Sequence, residues 1–148
     1  MTQNNPIKYF VVFSFFVLVG CSTEPQPIQY GKDLCHTCKM TLMDEKFGAE
    51  LVTAKGKVYK FDDINCMVNF YNSGYVESCE FTHKLVIDFS HPKKLIEADF
   101  SFFLMSDSLR TPMASGIASF SSETDLKEMK KKMGGIYLSW QETLVQFK

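Results

Sequence analysis

The segment AELVTAKGKVYKFDDINCMVNFYNSG, residues 49–74, decides the fold. Its first half contains two runs of strand-forming residues, 49–54 and 57–61, separated by Lys55-Gly56. Glycine permits the positive φ that a tight turn between strands requires. This part of the segment therefore predicts a hairpin.

The second half of the segment predicts an amphipathic helix. Asp62 or Asp63 is the candidate N-cap, and Gly74 ends the pattern. Between them the apolar residues recur at helical spacing: Ile64, Met67, Val68 and Tyr71. The run KLVIDF, residues 84–89, then predicts a strand, which gives the order β-β-α-β.

The rest of the chain repeats this plan. Strands are predicted at 101–105 and 117–120, followed by a helix in SSETDLKEMKKKMGG and a strand in IYLSW. Ser122 with Asp125 imitates a capping box, and Ser139 with Glu142 suggests a short last helix. A shift of 59 residues aligns Phe61 with Phe120, Met67 with Leu126 and Phe70 with Met129. We therefore predict an α+β fold in which two β-β-α-β units form a pseudo-duplicate with antiparallel sheets.

The N-terminus has the features of a lipoprotein signal. Residues 1–20 carry one cation, Lys8, and then an apolar run that is too short to cross a bilayer as a helix. The run ends in LVGC, which resembles the bacterial lipobox and makes Cys21 the candidate lipidated residue. We expect the signal to be removed and Cys21 to anchor the protein to membrane lipid, facing the periplasm or the cell exterior.

The predicted domain organisation follows from this start. Residues 21–33 contain prolines and polar residues without periodicity, which predicts a lipid-anchored flexible tether. Residues 34–148 are predicted to form one domain, divided into halves 34–92 and 93–148.

Composition excludes some classes of function. The 148 residues carry a formal net charge of −1, and no basic block or stripe indicates nucleic acid binding. The chain has five cysteines, and setting aside Cys21 leaves an even number. Outside the cytoplasm, such a set normally suggests disulfides, here with Cys66 and Cys79 as one candidate pair.

The segment DLCHTCKMTLMD, residues 33–44, carries the candidate site. Cys35 and Cys38 do not follow a strand pattern, as a thioredoxin-like redox pair would. Thiolate and thioether sulfur favour Cu(I), and Cys38 and Met40 at i and i+2 lie on one side of an extended segment. His36, in the same loop, is a candidate additional ligand.

Two residues elsewhere extend the candidate site. Met113 lies in RTPMASG, a polar loop in which a core role is not expected, and it would join the site if the two halves face each other. Cys66 lies inside the first predicted helix, where it is either a small buried residue or an additional ligand.

These motifs together resemble the NosL family. The resemblance rests on the lipobox, Cys35-x-x-Cys38-x-Met40, the segment FGAELVT…GKVYKFDDINCMVNF, and TPM before a strand, a capped helix and Gly-Gly. The family usually has glycine where this chain has Lys39 and Ala114.

The resemblance implies a function and a site. NosL proteins are membrane-anchored lipoproteins that bind Cu(I) and pass it on for the maturation of nitrous oxide reductase, and they are not enzymes. The resemblance places the metal ligands at Cys35, Cys38, Met40 and Met113, and the partners among the membrane components of the reductase assembly system. It also implies a fold related to part of organomercurial lyase.

Two other classes of function stay open at this point. A thiol-disulfide oxidoreductase would use the Cys35/Cys38 pair. A lyase that cleaves carbon–mercury bonds would require Cys66 and an acid, Asp62 or Asp63, to converge on the site.

Overall fold

The computed structural model describes residues 22–147. The strands are β1 (Ala49–Thr53), β2 (Val58–Phe61), β3 (Phe81–Ile87), β4 (Leu95–Glu97), β5 (Phe102–Met105), β6 (Ile117–Phe120) and β7 (Ile136–Leu138). The helices are α1 (Ile64–Asn72), α2 (Glu123–Met133) and α3 (Trp140–Leu144), with short 3-10 turns at Ser78–Glu80 and Ala98–Phe100. No helix among these residues is long and apolar enough to cross a membrane.

The two sheets repeat one topology. The first has the strand order β2-β1-β3-β4 and the second has the order β6-β5-β7, and all strand pairs in both are antiparallel. In each unit the first strand is central, its hairpin partner lies on one side and the strand after the helix lies on the other. The predicted α+β pseudo-duplicate is therefore confirmed.

The predicted shift of 59 residues also holds in the structure. Phe61 and Phe120 each end the second strand of their unit and are fully buried. Asp63 caps α1 and Ser122 caps α2, each by accepting a hydrogen bond from a backbone N–H in the first turn. Ser139 and Glu142 form the predicted capping box of α3.

The two core clusters explain why the central residues of β5, Phe103 and Leu104, are apolar. Phe103 packs into the larger core cluster, together with Trp140 of α3 and residues of the first unit. Leu104, on the opposite face of the strand, packs with Phe120 and Leu126 beneath α2. Because adjacent strand residues face opposite sides, β5 is buried on both faces and joins the two cores.

The sequence did not predict β4. This three-residue strand hydrogen-bonds to β3, so the first sheet extends to Glu97, beyond the predicted division at residues 92/93. Its residues are half-buried, and its short pattern carries no periodicity of its own. The two sheets meet where Phe89 N–H donates to the carbonyl of Ser119.

Residues 26–33 differ from the flexible tether that the sequence predicts. The backbone N–H of Gln26 donates to Glu50 Oε1 at 2.8 Å, and Ile28 is buried in the larger core cluster. Lys60 Nζ binds both the carbonyl of Pro27 and Asp33 Oδ2, the latter at 2.7 Å. We call residues 26–33 the N-terminal strap; folded structure begins with this strap rather than at residue 34. Residues 1–21, which include the predicted signal and Cys21, lie outside the described residues.

Two residues at positions where the resemblance leads us to expect glycine have a left-handed backbone. Lys39 has φ 65° and Ala114 has φ 55°, in the two loops that the sequence assigns to the site. A residue with a Cβ is strained in this region by roughly 1–2 kcal/mol, whereas glycine is not.

We expect Ala114→Gly to stabilise the protein. The relief of strain exceeds the added entropy of the unfolded chain, so the free energy of unfolding should rise by about 0.5–1 kcal/mol. Urea denaturation measures this change. Ala54→Gly is the matched control, since Ala54 is also an exposed turn residue but is not among the positive-φ residues, and it should give no gain. A loss of stability in Ala114→Gly would contradict the assigned strain.

Candidate metal centre

Residues 34–41 form a narrow loop, here called the cysteine loop. Leu34 pairs with Thr41 across its base, and the N–H of Cys35 donates to the carbonyl of Met40 at 2.8 Å. Lys39 N–H returns to the carbonyl of Cys35 at 3.0 Å, which the left-handed Lys39 backbone permits. The loop buries Cys35 completely, leaves Cys38 half-buried and exposes Met40.

Two hydrogen bonds fix the cysteine loop to the first unit. The N–H of His36 donates to the carbonyl of Lys60 in β2 at 2.7 Å. Thr37 Oγ1 donates to the carbonyl of Cys66 in α1 at 3.0 Å. The loop therefore lies over the junction between β2 and α1.

Asp63 organises this junction. As the N-cap of α1 it accepts a hydrogen bond from Asn65 N–H through Oδ1 at 3.1 Å. Its second oxygen, Oδ2, accepts from the N–H of Met113 at 2.8 Å, and Asn65 Nδ2 donates to the Met113 carbonyl at 3.3 Å. One carboxylate thus caps the helix and holds residues 110–116 of the second unit, here called the methionine loop, against it.

Four potential ligands converge beneath the cysteine loop. The sulfurs of Cys35, Cys38 and Cys66 and a carboxylate oxygen of Asp62 all lie within 4.8 Å of one another. Cys38 Sγ donates to Asp62 Oδ2 at 3.5 Å. Asp62 is 5% exposed, and its other oxygen, Oδ1, is buried without a hydrogen-bond partner in residues 22–147. We call these four residues the thiol cluster.

The thiols of the cluster differ in their protonation. The Cys66 thiol donates a hydrogen bond to the Cys35 sulfur, and this lowers the pKa of Cys35 to about 6. Nearby backbone N–H groups act in the same direction, whereas burial acts against them. The same hydrogen bond, together with burial, raises the pKa of the donor, Cys66, far above the ordinary thiol range. Burial also raises the pKa of Cys38. Cys35 is therefore the first thiolate of the metal-free cluster, and thiolate is the form that binds metals.

Of the two predicted methionines, Met40 borders a cleft that also reaches Asp62 of the cluster. This cleft of about 340 Å³ is bordered by Met40, Asp62 and, from the second unit, Thr111 and Pro112. Met113, the next residue, is half-buried and packs against the same core cluster as Cys38. Residues of the cysteine loop and of the methionine loop thus line the same cleft at the junction of the two units.

His36 lies outside the thiol cluster. Its ring packs edge-on against Tyr59 and Phe70, with centroid distances of 4.8 and 5.0 Å. Burial, with the nearby Lys39 and Lys57, lowers its pKa. The structure therefore gives this candidate ligand a packing role.

The pairing of Cys66 with Cys79 is not formed. All four cysteines within residues 22–147 are free thiols. Cys66 is buried against Cys35, whereas Cys79 is exposed in a 3-10 turn. Cys66 is thus buried and lies in the thiol cluster.

The Cys35/Cys38 pair lacks the setting of a thioredoxin-like redox pair. Such a pair needs the N-terminus of a helix, which stabilises the first thiolate. Here the pair lies in turns between the strap and Thr41, and the first α-helix of the described chain begins at Ile64. Here the Cys66 thiol, rather than the N-terminus of a helix, stabilises the Cys35 thiolate through a hydrogen bond.

Sequence reasoning placed Asp62 at the helix start and did not weigh it as a ligand. The spacing of Asp62 and Cys66 could have predicted that they meet. They lie four residues apart on either side of the N-cap, and the first helical turn brings such positions together.

We expect metal-free Cys35 to ionise near pH 6. Thiolate absorbance, followed from pH 4 to 10, should show Cys35 ionising before Cys38 and Cys66, whose pKa values are raised. Cys66→Ala removes the S–H donor, so the lowered pKa of Cys35 should rise and the early step should move to higher pH. Cys79→Ala, which removes an exposed thiol outside the cluster, should leave that step in place. An early step that persists unchanged in Cys66→Ala would rule out this cause.

Comparison with known proteins agrees with the fold and extends it. No curated protein sequence matches the chain. A solved structure, the crystal structure of the copper chaperone NosL from Shewanella denitrificans, has the same fold, with a TM-score of 0.68 and 24% identity. The match covers 82% of this chain and 96% of that one. The profile of the NosL family matches residues 27–145, nearly all of the described chain, and the protein therefore belongs to the NosL family.

Proposed function

We propose that this protein is a membrane-anchored Cu(I) chaperone, which binds one copper ion through sulfur and delivers it for the assembly of nitrous oxide reductase. The observation that carries the proposal is the convergence of three cysteine sulfurs within 4.8 Å. Thiolate sulfur prefers Cu(I) over harder cations. The role is carriage of a cargo and requires no catalysis.

The ligands divide into a buried and an open group. Cys35 and Cys66 are buried and hold the inner side of the ion. Cys38, half-buried, lies between them and the surface. Met40 borders the cleft, and Met113 directly follows Pro112, which also borders it. Their thioether sulfurs are proposed to complete the ligand set, since they bind Cu(I) without adding charge.

This arrangement suits transfer by ligand exchange. An incoming sulfur ligand must reach the ion before the old ligand leaves, so at least one side of the site has to be open. Met40 is 54% exposed and borders the cleft, which makes it the first ligand that a recipient meets and replaces.

Localisation and partners follow from the family and the N-terminal sequence. The lipobox supports lipid attachment at Cys21, which would hold the protein at the periplasmic or outer face of a membrane. The recipient is then a membrane component of the nitrous oxide reductase assembly system, and anchoring raises the effective concentration of the two partners. The relative from Shewanella denitrificans is described as a copper chaperone, which supports Cu(I) as the cargo.

A Cu(I) titration tests the proposal. The full chain carrying Cys21→Ser, reduced and kept anaerobic in mild detergent, is titrated with Cu(I) against a competing chromophoric chelator. One tight equivalent is expected. Cys38→Ser, Cys66→Ser, Met40→Leu and Met113→Leu should each weaken it at least about tenfold, equivalent to about 1.4 kcal/mol.

Two matched variants serve as controls. Cys79→Ser removes an exposed cysteine, and Met43→Leu removes a methionine that is 70% exposed; neither residue belongs to the proposed ligand set. Both should bind as the parent does. Cu(I) affinity that is unchanged in Cys38→Ser and Cys66→Ser would refute the chaperone proposal. So would the absence of Cu(I) binding tighter than that of the chelator.

One observation also favours a second candidate function, cleavage of carbon–mercury bonds. Cys66 and an acid, Asp62, do converge with two further thiols. Thiolates would bind mercury while the carbon receives a proton from a protonated cluster group, which releases the hydrocarbon. Release of methane from methylmercury by the wild type, lost in Cys66→Ser and kept in Cys79→Ser, is the expected sign; no release excludes this activity.

A further inference from the structure

Large aromatic side chains are exposed at the second sheet. Phe100, at the end of the 3-10 turn before β5, is 84% exposed, and Phe102, the first residue of β5, is 39% exposed. Tyr137, in β7, is 44% exposed. Single exposed apolar residues are ordinary on a protein surface, whereas a group of them marks a surface that binds a partner.

The strand register places two of these rings side by side. Tyr137 lies opposite Leu104 of the neighbouring strand β5, and Phe102 is two residues from Leu104. Side chains two residues apart in a strand point to the same face, so Phe102 and Tyr137 are diagonal neighbours across the two strands. Within the described chain β7 pairs only with β5, so the two rings lie at an open edge of the sheet.

Three lysines of α2 adjoin these rings. Lys130, Lys131 and Lys132 are the basic residues of the last turn of the helix. Lys130 Nζ lies 3.9 Å from the centre of the Tyr137 ring, and this cation–π contact joins the end of the helix to β7. None of the three lysines forms an ion pair within residues 22–147. Their charges are therefore available to an external group.

We propose that this surface binds the face of an anionic lipid bilayer. We call it the aromatic–lysine patch, and it consists of Phe100, Phe102, Tyr137 and residues 130–132. The rings enter the headgroup layer, and the ammonium groups pair with lipid phosphates. This membrane contact goes beyond copper carriage, and it requires neither copper nor lipid attachment at Cys21.

The charge of the patch is complementary to an anionic surface. The whole chain carries a formal net charge of −1, so three lysines in one helical turn form a positive area on a slightly negative protein. Each lysine close to an anionic bilayer strengthens binding roughly fivefold. The long lysine side chains reach the phosphates with their charged ends while their apolar stems cover the surface beside the rings.

Nearby acidic residues do not cancel this charge. Asp99, beside the exposed phenylalanine, pairs with Lys84 at 2.7 Å. Glu123, at the other end of α2, pairs with Lys127 at 2.8 Å. In the second half of α2, Glu128 offsets one of the three lysines, which leaves an excess of two positive charges there.

The residue types favour lipid over a protein partner. Protein interfaces are depleted in lysine and enriched in arginine, and lysine is the one cation type in this patch. Tyrosine is enriched where headgroups meet acyl chains, because its ring is apolar and its hydroxyl is polar. Phe100 is the most exposed of the three rings, so it is the residue that inserts deepest.

Sedimentation with lipid vesicles tests the patch. Residues 22–148 are used, because the apolar run near the N-terminus would itself enter lipid. This segment contains both core clusters, and 82% of this chain matches 96% of the crystallised chain of the relative, so a domain of this extent folds by itself. Binding is expected to vesicles of equal parts phosphatidylglycerol and phosphatidylcholine and not to phosphatidylcholine alone. Added salt should weaken it, since salt screens exposed charges.

One pair of variants tests the exposed phenylalanine. Phe100→Ser should weaken vesicle binding at least about fivefold, because it removes the apolar group that leaves water. Tyr75→Ser is the matched control, since Tyr75 is 70% exposed and lies outside the patch, and it should bind as the parent does.

A second pair of variants tests the lysines. Replacing all three lysines of residues 130–132 by glutamine should weaken vesicle binding at least about tenfold. Replacing Lys55, Lys93 and Lys94 by glutamine removes the same charge from exposed positions outside the patch and should have a smaller effect. An equal effect of the two triple variants would contradict a specific patch.

A fluorescence measurement reports insertion directly. The single tryptophan of the chain, Trp140, is 3% exposed, so its emission shows whether each variant is folded. In Phe100→Trp the added indole should shift its emission to the blue with anionic vesicles and be quenched by brominated lipid.

Three results would overturn the proposal. They are no binding to anionic vesicles, equal binding by Phe100→Ser and Tyr75→Ser that is weaker than that of the parent, and no quenching in Phe100→Trp. Binding of poly-glutamate without binding of vesicles would assign the patch to an acidic protein and would overturn the proposal as well.

Discussion

The site depends on the two hydrogen bonds that the Asp63 carboxylate accepts. This carboxylate begins α1 through Asn65, and it fixes the second unit's methionine loop through the N–H of Met113. Because it fixes the start of the helix, it also sets the positions of Asp62 just before the cap and of Cys66 in the first turn. A helix cap is normally worth about 1 kcal/mol, but here the same group determines which side chains meet.

Sequence periodicity predicted the repeated part of the fold and little outside it. The alignment of Phe61 with Phe120 and of Asp63 with Ser122 held, because burial and capping leave local patterns. The docked strap depends on one apolar residue, Ile28, and on backbone and ion-pair contacts to distant strands, which leave no periodic signal. The three residues of β4 are too few to show a period.

The candidate site was also only partly predictable, because some of its residues meet through contacts between distant segments. Spacing within one loop predicted Cys35, Cys38 and Met40, and the structure brings the two cysteines together in the thiol cluster. Spacing could not predict the contacts between this loop and the rest of the chain. Cys66 has the burial of a core residue and also lies in the thiol cluster, so its place in the structure agrees with burial and leaves its role as a ligand a prediction. The sequence did not predict a place for Asp62 among the potential ligands, because either aspartate could serve as the helix cap. The structure assigns the cap to Asp63.

The docked strap limits how the domain is oriented if residue 21 is fixed to a membrane. Between residues 21 and 26 the chain reaches at most about 17 Å, even when it is fully extended. The strap then runs along the sheet to the Asp33–Lys60 ion pair, two residues before Cys35. Gln26 would therefore stay within about 17 Å of residue 21, and the length of this link would limit which proteins can reach the cleft.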